Sequence, residues 1–396
     1  MKVLALMTNT EQTACTRFRL LQYRQHLEAA GITLDARPLL DEKLEKALYR
    51  SGGRLGPKAF GITKALAKRT RDLFDGLNAD VIYILREASL VGPPIIEWVL
   101  SKAGRRPVIF DVDDPIWKGY SSPTYGPLAM LLKMPKKADT IFRLATHIVA
   151  GNDYVADYAR KLNPNVTVIP TVVDTEKFTP REDTPQPQDA SQAKDKQQAQ
   201  DKPQAQVPVV GWIGSHSTAP YLRRILPALQ AAAWKAPFKL HIVGSRSQLT
   251  LPGNTQLPGT EVIRKPWTLE SEIPAFQELD IGLYPITRDK WSVGKSAFKA
   301  VQYGAVSVPT IASPVGAVKQ VIEHEKTGIL ADTTDEWIQA VTTLVQDATL
   351  RRTIGRNART RIEEEYSLAT WAPRLIEVIE QSLARNKRNT WNNRNS

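Results

Sequence analysis

The sequence contains a single cysteine, Cys15. That excludes an internal disulfide framework and any metal site built from several thiolates. No apolar run approaches the roughly 18 residues that a membrane span requires. The opening MKVLALMTNT turns polar too soon for a secretory signal and reads instead as a first buried strand, so the expected location is cytoplasmic. Glycine-rich nucleotide fingerprints are missing as well. The first strand runs into TNTEQTACTRFR without a glycine, no G-x-G-x-x-G opens either half, and no P-loop occurs. Nicotinamide or flavin chemistry therefore loses support.

Acidic residues are absent over one long stretch. Between Ser51 and Thr70 there is none, while Arg54, Lys58, Lys64, Lys68 and Arg69 lie there, flanked by Arg50 and Arg71. The chain of 396 residues carries a formal net charge of +12. This balance favours anionic partners. The stretch reads either as a solvated surface or as a patch that docks on an anionic membrane. Nucleic acid is disfavoured, because no reading motif is present and aromatics do not interleave with the basic run.

What is present is an alternation of short apolar strands and helical stretches. Strands are expected at KVLALM, TLDARPL, DVIYIL, PVIFDV, HIVAG and VTVIP in the first half. In the second half they are expected at VPVVGWIG, KLHIVG, TEVIRKPW, DIGLYPI, VSVPTIAS and TGILAD. Several are apolar throughout, as in parallel strands covered by helices on both faces. RFRLLQYRQHLEAAG reads as one helix ending at Gly31. Residues 181–206, REDTPQPQDASQAKDKQQAQDKPQAQ, lack aromatics, leucine and isoleucine and read as a disordered linker. The expected organisation is α/β: a Rossmann-like domain over 1–180, the linker over 181–206, a second Rossmann-like domain over 207–365 and a helix with a basic tail over 366–396. In open α/β sheets ligands bind beyond the carboxyl ends of the strands.

Three stretches at such ends can carry chemistry. In FDVDDPIW, Asp111 and Asp113 alternate to one face and Asp114 follows. A D-x-D after a strand can hold a divalent cation, although no second acidic ligand cluster is evident. Asp114 can instead cap a helix that Pro115 begins. In RDKWSVGKSAFKAVQYGA, Ser292 is expected as an N-cap, with Lys295 in the first turn of a helix and Lys299 one turn later on the same face. Two cations there oppose the helix dipole unless an anion binds, and Gly294 permits close backbone approach. In GWIGSHSTAPYL, Gly214, Ser215 and Thr218 form a small-residue loop suited to phosphate or ribose, and His216 reads as a capping or surface residue. Lys265, after a strand, is a further phosphate candidate.

The set TRFRLLQY, LREASLVGPP, FDVDDPIW, GWIGSHSTAPYL, DIGLYPITRDKWSVGKSAFKAVQYGAVSVPTIASPVG and EEYSL, in this order, resembles one bacterial branch of the family 4 glycosyltransferases of the GT-B fold. The resemblance spans residue 1 to about residue 382, outside the linker. It implies two Rossmann-like domains facing across a cleft, with the nucleotide sugar on the second, the acceptor on the first and the last helix crossing back to the first. It implies a retaining transfer of a sugar from a nucleotide-sugar donor to a glycan or lipid-linked acceptor in polysaccharide or glycolipid synthesis, with no essential metal and no cofactor.

By the same match Asp113 stands where the family places its site histidine, with Asp114 beside it. Gly214, Ser215, Thr218, Lys265, Gly294, Lys295 and Lys299 fall on the donor side, and Arg17, Arg86 and Glu87 on the acceptor side. The family's two donor-site glutamates are replaced by Trp291 and Lys299. That departure keeps open an alternative, a non-catalytic sugar-nucleotide-binding or scaffold protein in a glycan assembly complex.

Overall fold

The computed structural model describes residues 1–49, 55–118, 134–182, 207–215, 217–244, 257 and 259–395. The chain forms two compact units. Unit 1 comprises Met1–Asp174, Arg288–Ser296 and Tyr366–Ser396, and unit 2 comprises Thr175–Thr287 and Ala297–Glu365. The expected linker lies, from residue 183 on, outside the described residues. No described helix is long and apolar enough to cross a membrane.

Unit 1 is a six-stranded parallel sheet of order β2-β1-β3-β4-β5-β6. Its strands are β1 Lys2–Met7, β2 Thr33–Pro38, β3 Val81–Leu85, β4 Val108–Val112, β5 His147–Ala150 and β6 Val166–Val168. Its helices are α1 Ala14–Arg19, α2 Arg24–Ala29, α3 Glu42–Tyr49, α4 Leu55–Gly76, α5 Ile95–Trp98 with a π turn Val99–Ala103, α6 Lys137–Leu144 and α7 Asp153–Arg160. Because side chains alternate along a strand, the two faces build separate cores. Val3, Ala5 and Met7 of β1 pack with Val81, Tyr83 and Ile109 on one face. Leu4 and Leu6 pack with Ile82, Phe110 and Phe142 on the other. The strand order reverses between β1 and β3, so their carboxyl ends form the switch point where such sheets bind ligands.

Unit 2 holds β7 Val209–Ile213, β8 Lys239–Val243, β9 Val262–Lys265, β10 Ile281–Tyr284, β11 Thr310–Ala312 and β12 Gly328–Leu330, in the order β12-β11-β10-β7-β8-β9. This is the dinucleotide-fold order with its switch point between β7 and β10. Its helices are α8 Ala219–Lys235, α9 Glu272–Gln277, α10 Phe298–Ala305, α11 Val318–Val321, α12 Thr334–Gln346 and α13 Ala348–Glu365. The start of α12 is written into the sequence as a capping box. The Thr333 hydroxyl accepts from the Glu336 N–H, and the Glu336 carboxylate accepts from the Thr333 N–H.

The last helix, α14 Leu368–Asn395, belongs to unit 1. Leu368, Ala372, Leu375 and Ile379 repeat at helical spacing and enter the core on the β1, β3 and β4 face. Each large apolar side chain buried this way contributes about 1.5–3 kcal/mol. The single helix expected up to Gly31 is broken. Leu20 leaves helical geometry and a 3-10 turn, Leu21–Tyr23, separates α1 from α2. The break follows directly on Arg19, whose guanidinium is fixed on the sheet.

His147 of β5 is buried, with Nε2 2.9 Å from Thr167 Oγ1. Burial first, then the charges of Arg385 and Arg374 on α14, lower its pKa to about 4. The unfolded chain takes up this proton near pH 6.5, the folded chain only near 4. Stability is therefore expected to fall as pH drops from about 6.5 to 4, by at most about 3 kcal/mol from this group. His147→Gln should flatten that part of a Tm-against-pH curve; an unchanged slope would show that His147 does not set it.

Candidate functional site

The carboxyl end of β4 carries all three aspartates of FDVDD, and they divide between two cations. Asp111 is the last inward-facing residue of the strand and is buried. Arg19 donates to its Oδ1 from Nε at 3.0 Å and from Nη2 at 2.8 Å, and Nη1 reaches the Ile169 carbonyl at 2.6 Å. The Tyr83 hydroxyl donates to Oδ2. Burial works against the Arg19 charge, but the Asp111 carboxylate outweighs it and keeps the guanidinium protonated. Asp111 thus ties α1, β3 and β4 together.

Asp113 and Asp114 share a different cation. Arg86, just beyond β3, donates from Nε to Asp113 Oδ1 at 2.8 Å and from Nη2 to Asp114 Oδ2 at 2.6 Å. Its backbone is left-handed, with φ at 65°, and its N–H donates to the Asp111 carbonyl at 2.8 Å. A non-glycine residue pays about 1–2 kcal/mol for that conformation. The segment that follows is pinned on several sides. Ala88 N–H donates to Glu97 Oε1 at 3.1 Å, the Thr8 hydroxyl donates to the Glu87 carbonyl at 2.8 Å, and Lys137 Nζ donates to the Ser89 carbonyl at 2.6 Å. Glu87 itself pairs with Lys137 at 2.8 Å.

The shared guanidinium does not act equally on the two carboxyls. Burial opposes the Asp113 charge, but Arg86, by charge and hydrogen bond, and then Arg19 outweigh it, so Asp113 is held below the usual carboxylate range. Burial pushes Asp114 above that range. Arg86 opposes this, the charge on Asp113 adds to it, and Lys295 acts against it. Two adjacent carboxyls whose environments drive their proton affinities apart are an acid–base arrangement. Cys15 Sγ lies 3.8 Å from Asp113 Oδ1, and burial lifts its thiol pKa well above the ordinary value. It donates as a neutral thiol.

Gly151 lets this loop close against β5. A Cβ there would lie 2.7 Å from Asp113 Cα. Asn152 caps α7 by accepting from the Val155 N–H at 3.0 Å, and its amide donates to the Gly294 carbonyl at 2.8 Å. Gly294 is needed for packing, since a Cβ would meet Pro115 Cγ at 2.8 Å and Tyr154 Cδ1 at 2.9 Å. The expectation that it frees backbone for a phosphate is corrected: it is buried under these contacts. Asp114 does not cap a helix within the described residues. Pro115 to Lys118 form a turn, and the Asp114 carboxylate is held by Arg86. Among the described residues no group of three or more histidine, cysteine, aspartate or glutamate side chains is arranged to hold a metal ion.

Lys295 and Lys299 do not share a helix face. Asp289 caps a 3-10 turn, Ser292–Gly294, by accepting from the Trp291 and Ser292 N–H groups, both at 2.9 Å. Ala297 then turns left-handed, with φ at 54°, and α10 begins at Phe298. Lys295 belongs to unit 1 with Asp114, whereas Lys299 sits in the first turn of α10 in unit 2. Its Nζ donates to Gln302 Oε1 at 3.0 Å and lies 5.0 Å from the Phe276 ring centroid.

In unit 2 the turn after β7 has the expected small residues. A Cβ on Gly214 would lie 2.4 Å from Trp212 Cζ2 and 2.8 Å from Thr218 Oγ1. The Thr218 hydroxyl accepts from the Ser215 N–H at 3.2 Å and donates to the Ser215 carbonyl at 3.0 Å, which closes the turn. His216 lies outside the described residues. This turn and the start of α10 follow the neighbouring strands β7 and β10, at the switch point. Lys265 does not join them; it ends the edge strand β9 and pairs with Glu278. Arg17, on α1, donates from Nε to the Gln12 carbonyl at 3.2 Å and stacks 4.6 Å over Phe18.

The family model described as "Glycosyl transferases group 1" matches residues 207–347. No protein of curated function matches the sequence. Among solved structures, Anabaena HepE in complex with UDP superposes with a TM-score of 0.62 at 16% identity, covering 96% of this chain and 100% of that one. A glycosyltransferase from Rickettsia africae ESF-5 gives 0.65 at 14% identity, covering 96% and 98%. Sucrose-phosphate synthase from Thermosynechococcus elongatus gives 0.64 at 15% identity, covering 97% and 100%. The fold is GT-B. Sequence reasoning located Asp113 and Asp114 within it but missed Cys15, Arg19, Lys137 and Asn152. Apart from the N-cap that Asn152 gives to α7, their partners are distant in sequence.

Removing Arg86 should leave buried Asp113 and half-buried Asp114 without their cation. Arg86→Ala is expected to cost about 3 kcal/mol at pH 7 in urea unfolding. Arg86→Gly should cost about 1 kcal/mol less than Arg86→Ala, since glycine accepts the left-handed backbone. The lowered Asp113 pKa contributes stability above the unfolded carboxyl pKa of about 3.9 and loses it as pH falls further. The gap between wild type and variant should therefore shrink below about pH 4, and a gap independent of pH would contradict this coupling.

Proposed function

We propose that this protein is a retaining glycosyltransferase of the family 4 type, transferring a hexose-class sugar from a nucleotide sugar to a glycan or lipid-linked acceptor in cell-surface polysaccharide or glycolipid synthesis. The observation that carries the reading is the Arg86–Asp113–Asp114 cluster at the strand ends of a GT-B fold. Its support from outside the chain is that HepE, of the same fold, was crystallised with UDP and with UDP-glucose. The family match over residues 207–347 adds to it.

In this reading the nucleotide sugar binds unit 2. The Gly214–Thr218 turn and the N–H groups opening α10 offer donors to its phosphates, and Lys299 adds charge. Unit 1 takes the acceptor. Ionised Asp113 accepts a hydrogen bond from a hydroxyl of the transferred sugar and stabilises positive charge developing at the anomeric carbon. Asp114, with its raised proton affinity, holds the loop through Arg86. Departure of the nucleoside diphosphate breaks the anomeric carbon–phosphate oxygen bond, the acceptor oxygen forms the new one on the same face, and the acceptor hydroxyl's proton leaves on the departing phosphate oxygen. No essential metal or cofactor enters this proposal; charge on the diphosphate is met by backbone donors and lysine.

A second reading is a sugar-nucleotide-binding protein without turnover. Trp291 and Lys299, in place of the family's two glutamates, favour it. Thermal-shift measurements against UDP-, GDP-, CMP- and ADP-sugars come first, because a ligand that binds only the folded state raises Tm. Nucleoside diphosphate release on adding acceptor should then follow for wild type and fall by about 100-fold or more in Asp113→Asn with the donor-induced shift kept. Donor binding without release for any acceptor would establish the second reading. Loss of activity with EDTA and its return with Mn²⁺ would overturn the metal-free mechanism.

A further inference from the structure

Unit 1 exposes large apolar side chains where a soluble surface has no use for them. Phe60 and Phe74 on α4 are 74% and 70% exposed, and Trp98 at the end of α5 is 53% exposed. At 1.5 Å and 100° per residue, Phe60 and Phe74 stand about 21 Å apart along the helix and within about 40° of one face. Lys64 and Arg71 fall between them on the same face, and both are exposed. Lys102 follows Trp98 by four residues and is exposed too. The two elements adjoin. A Cβ on Gly76, at the end of α4, would lie 2.7 Å from Leu100 Cδ2, and one on Gly104 would lie 2.7 Å from Leu77 Cδ2.

Two of the three acids of these elements are buried, and the third, Asp75, is part-exposed on the same side of α4 but held by a cation. Asp72 is buried on Arg69 at 2.9 Å, Asp75 pairs with Arg37 at 3.3 Å, and buried Glu97 accepts from Ala88. The outer face is thus mainly aromatic and cationic, and its one part-exposed carboxylate, Asp75, is paired with Arg37. Aromatic anchors spaced along a helix, with lysine and arginine between them, are the composition of a helix that lies in a membrane interface. Cations near an anionic leaflet gain about 1 kcal/mol each, while isolated phenyl rings in water gain nothing.

We propose that the face formed by α4 and the Ile95–Ala103 segment docks on an anionic lipid bilayer, with Phe60, Phe74 and Trp98 entering the headgroup region and Lys64, Arg71 and Lys102 meeting lipid phosphates. Docking does not depend on the transfer reaction, and binding is read without turnover.

The test is co-sedimentation of the full chain with vesicles. Binding is expected to an equal mixture of phosphatidylcholine and phosphatidylglycerol, weak binding to phosphatidylcholine alone, and weakening with added salt. Phe60→Ser/Phe74→Ser should lose binding at least tenfold. Lys64→Glu/Arg71→Glu, an independent disruption, should lose about fivefold or more per reversed charge. All four positions are exposed, so Tm should stay at the wild-type value. Failure to bind the mixed vesicles would overturn the proposal. So would binding unchanged in both variants, or self-association relieved by Phe74→Ser with no vesicle binding, which would make this face a contact between copies of the chain.

Discussion

One guanidinium organises unit 1's site. Arg86 stands between two carboxyls that would otherwise repel each other inside a region of low dielectric. Taking Asp113 wholly and Arg86 and Asp114 partly out of water is costly unless their charges and hydrogen bonds are matched. Here the matching is done by geometry. A left-handed residue at the end of β3 turns its side chain across to the end of β4, and its own N–H is satisfied by the Asp111 carbonyl. The surrounding contacts, Lys137 to Ser89 and Glu97 to Ala88, hold the segment in the conformation that this requires.

The sheet makes the arrangement possible. Parallel strands deliver all their carboxyl ends to one edge, so residues far apart in sequence meet there without long loops. Asp111 illustrates how a single strand divides labour. It lies within the strand and is paired with Arg19, whereas Asp113, two residues on and past the last strand bond, meets Arg86 instead. The strain at Arg86 is small beside the cost of leaving either carboxyl unpaired, which explains why the chain tolerates it. In unit 2 the switch point is built from smaller means, a glycine that cannot carry a Cβ and a threonine that closes its own turn.

Much of the fold was legible because strand signals are local. KVLALM, PVIFDV and DIGLYPI are short, apolar and bounded, and each became a parallel strand within a residue or two. The position of Asp113 and Asp114 followed from the rule that ligands gather at strand ends. Helix continuity was less legible. The segment through Leu20 has helical periodicity, yet the buried ion pair of Arg19 with Asp111 is a tertiary demand that periodicity does not record. Lys295 and Lys299 have the spacing of helical neighbours, but the left-handed Ala297 between them carries no sequence signature, since alanine normally avoids that conformation. Gly294 was read as freedom for a ligand and is instead room for Pro115 and Tyr154. Cys15, and the bond of Asn152 to Gly294, could not be assigned from sequence because these partners lie on distant loops.

The central claim is that Arg86 sets Asp113 and Asp114 apart in proton affinity. Titration of the two side-chain carboxyl carbons by NMR measures this directly. The account predicts that the pair loses its first proton below the ordinary carboxyl value of about 3.9, at Asp113, and its second above it, at Asp114. Two carboxyls titrating together near 3.9, or Asp114 ionising first, would contradict it.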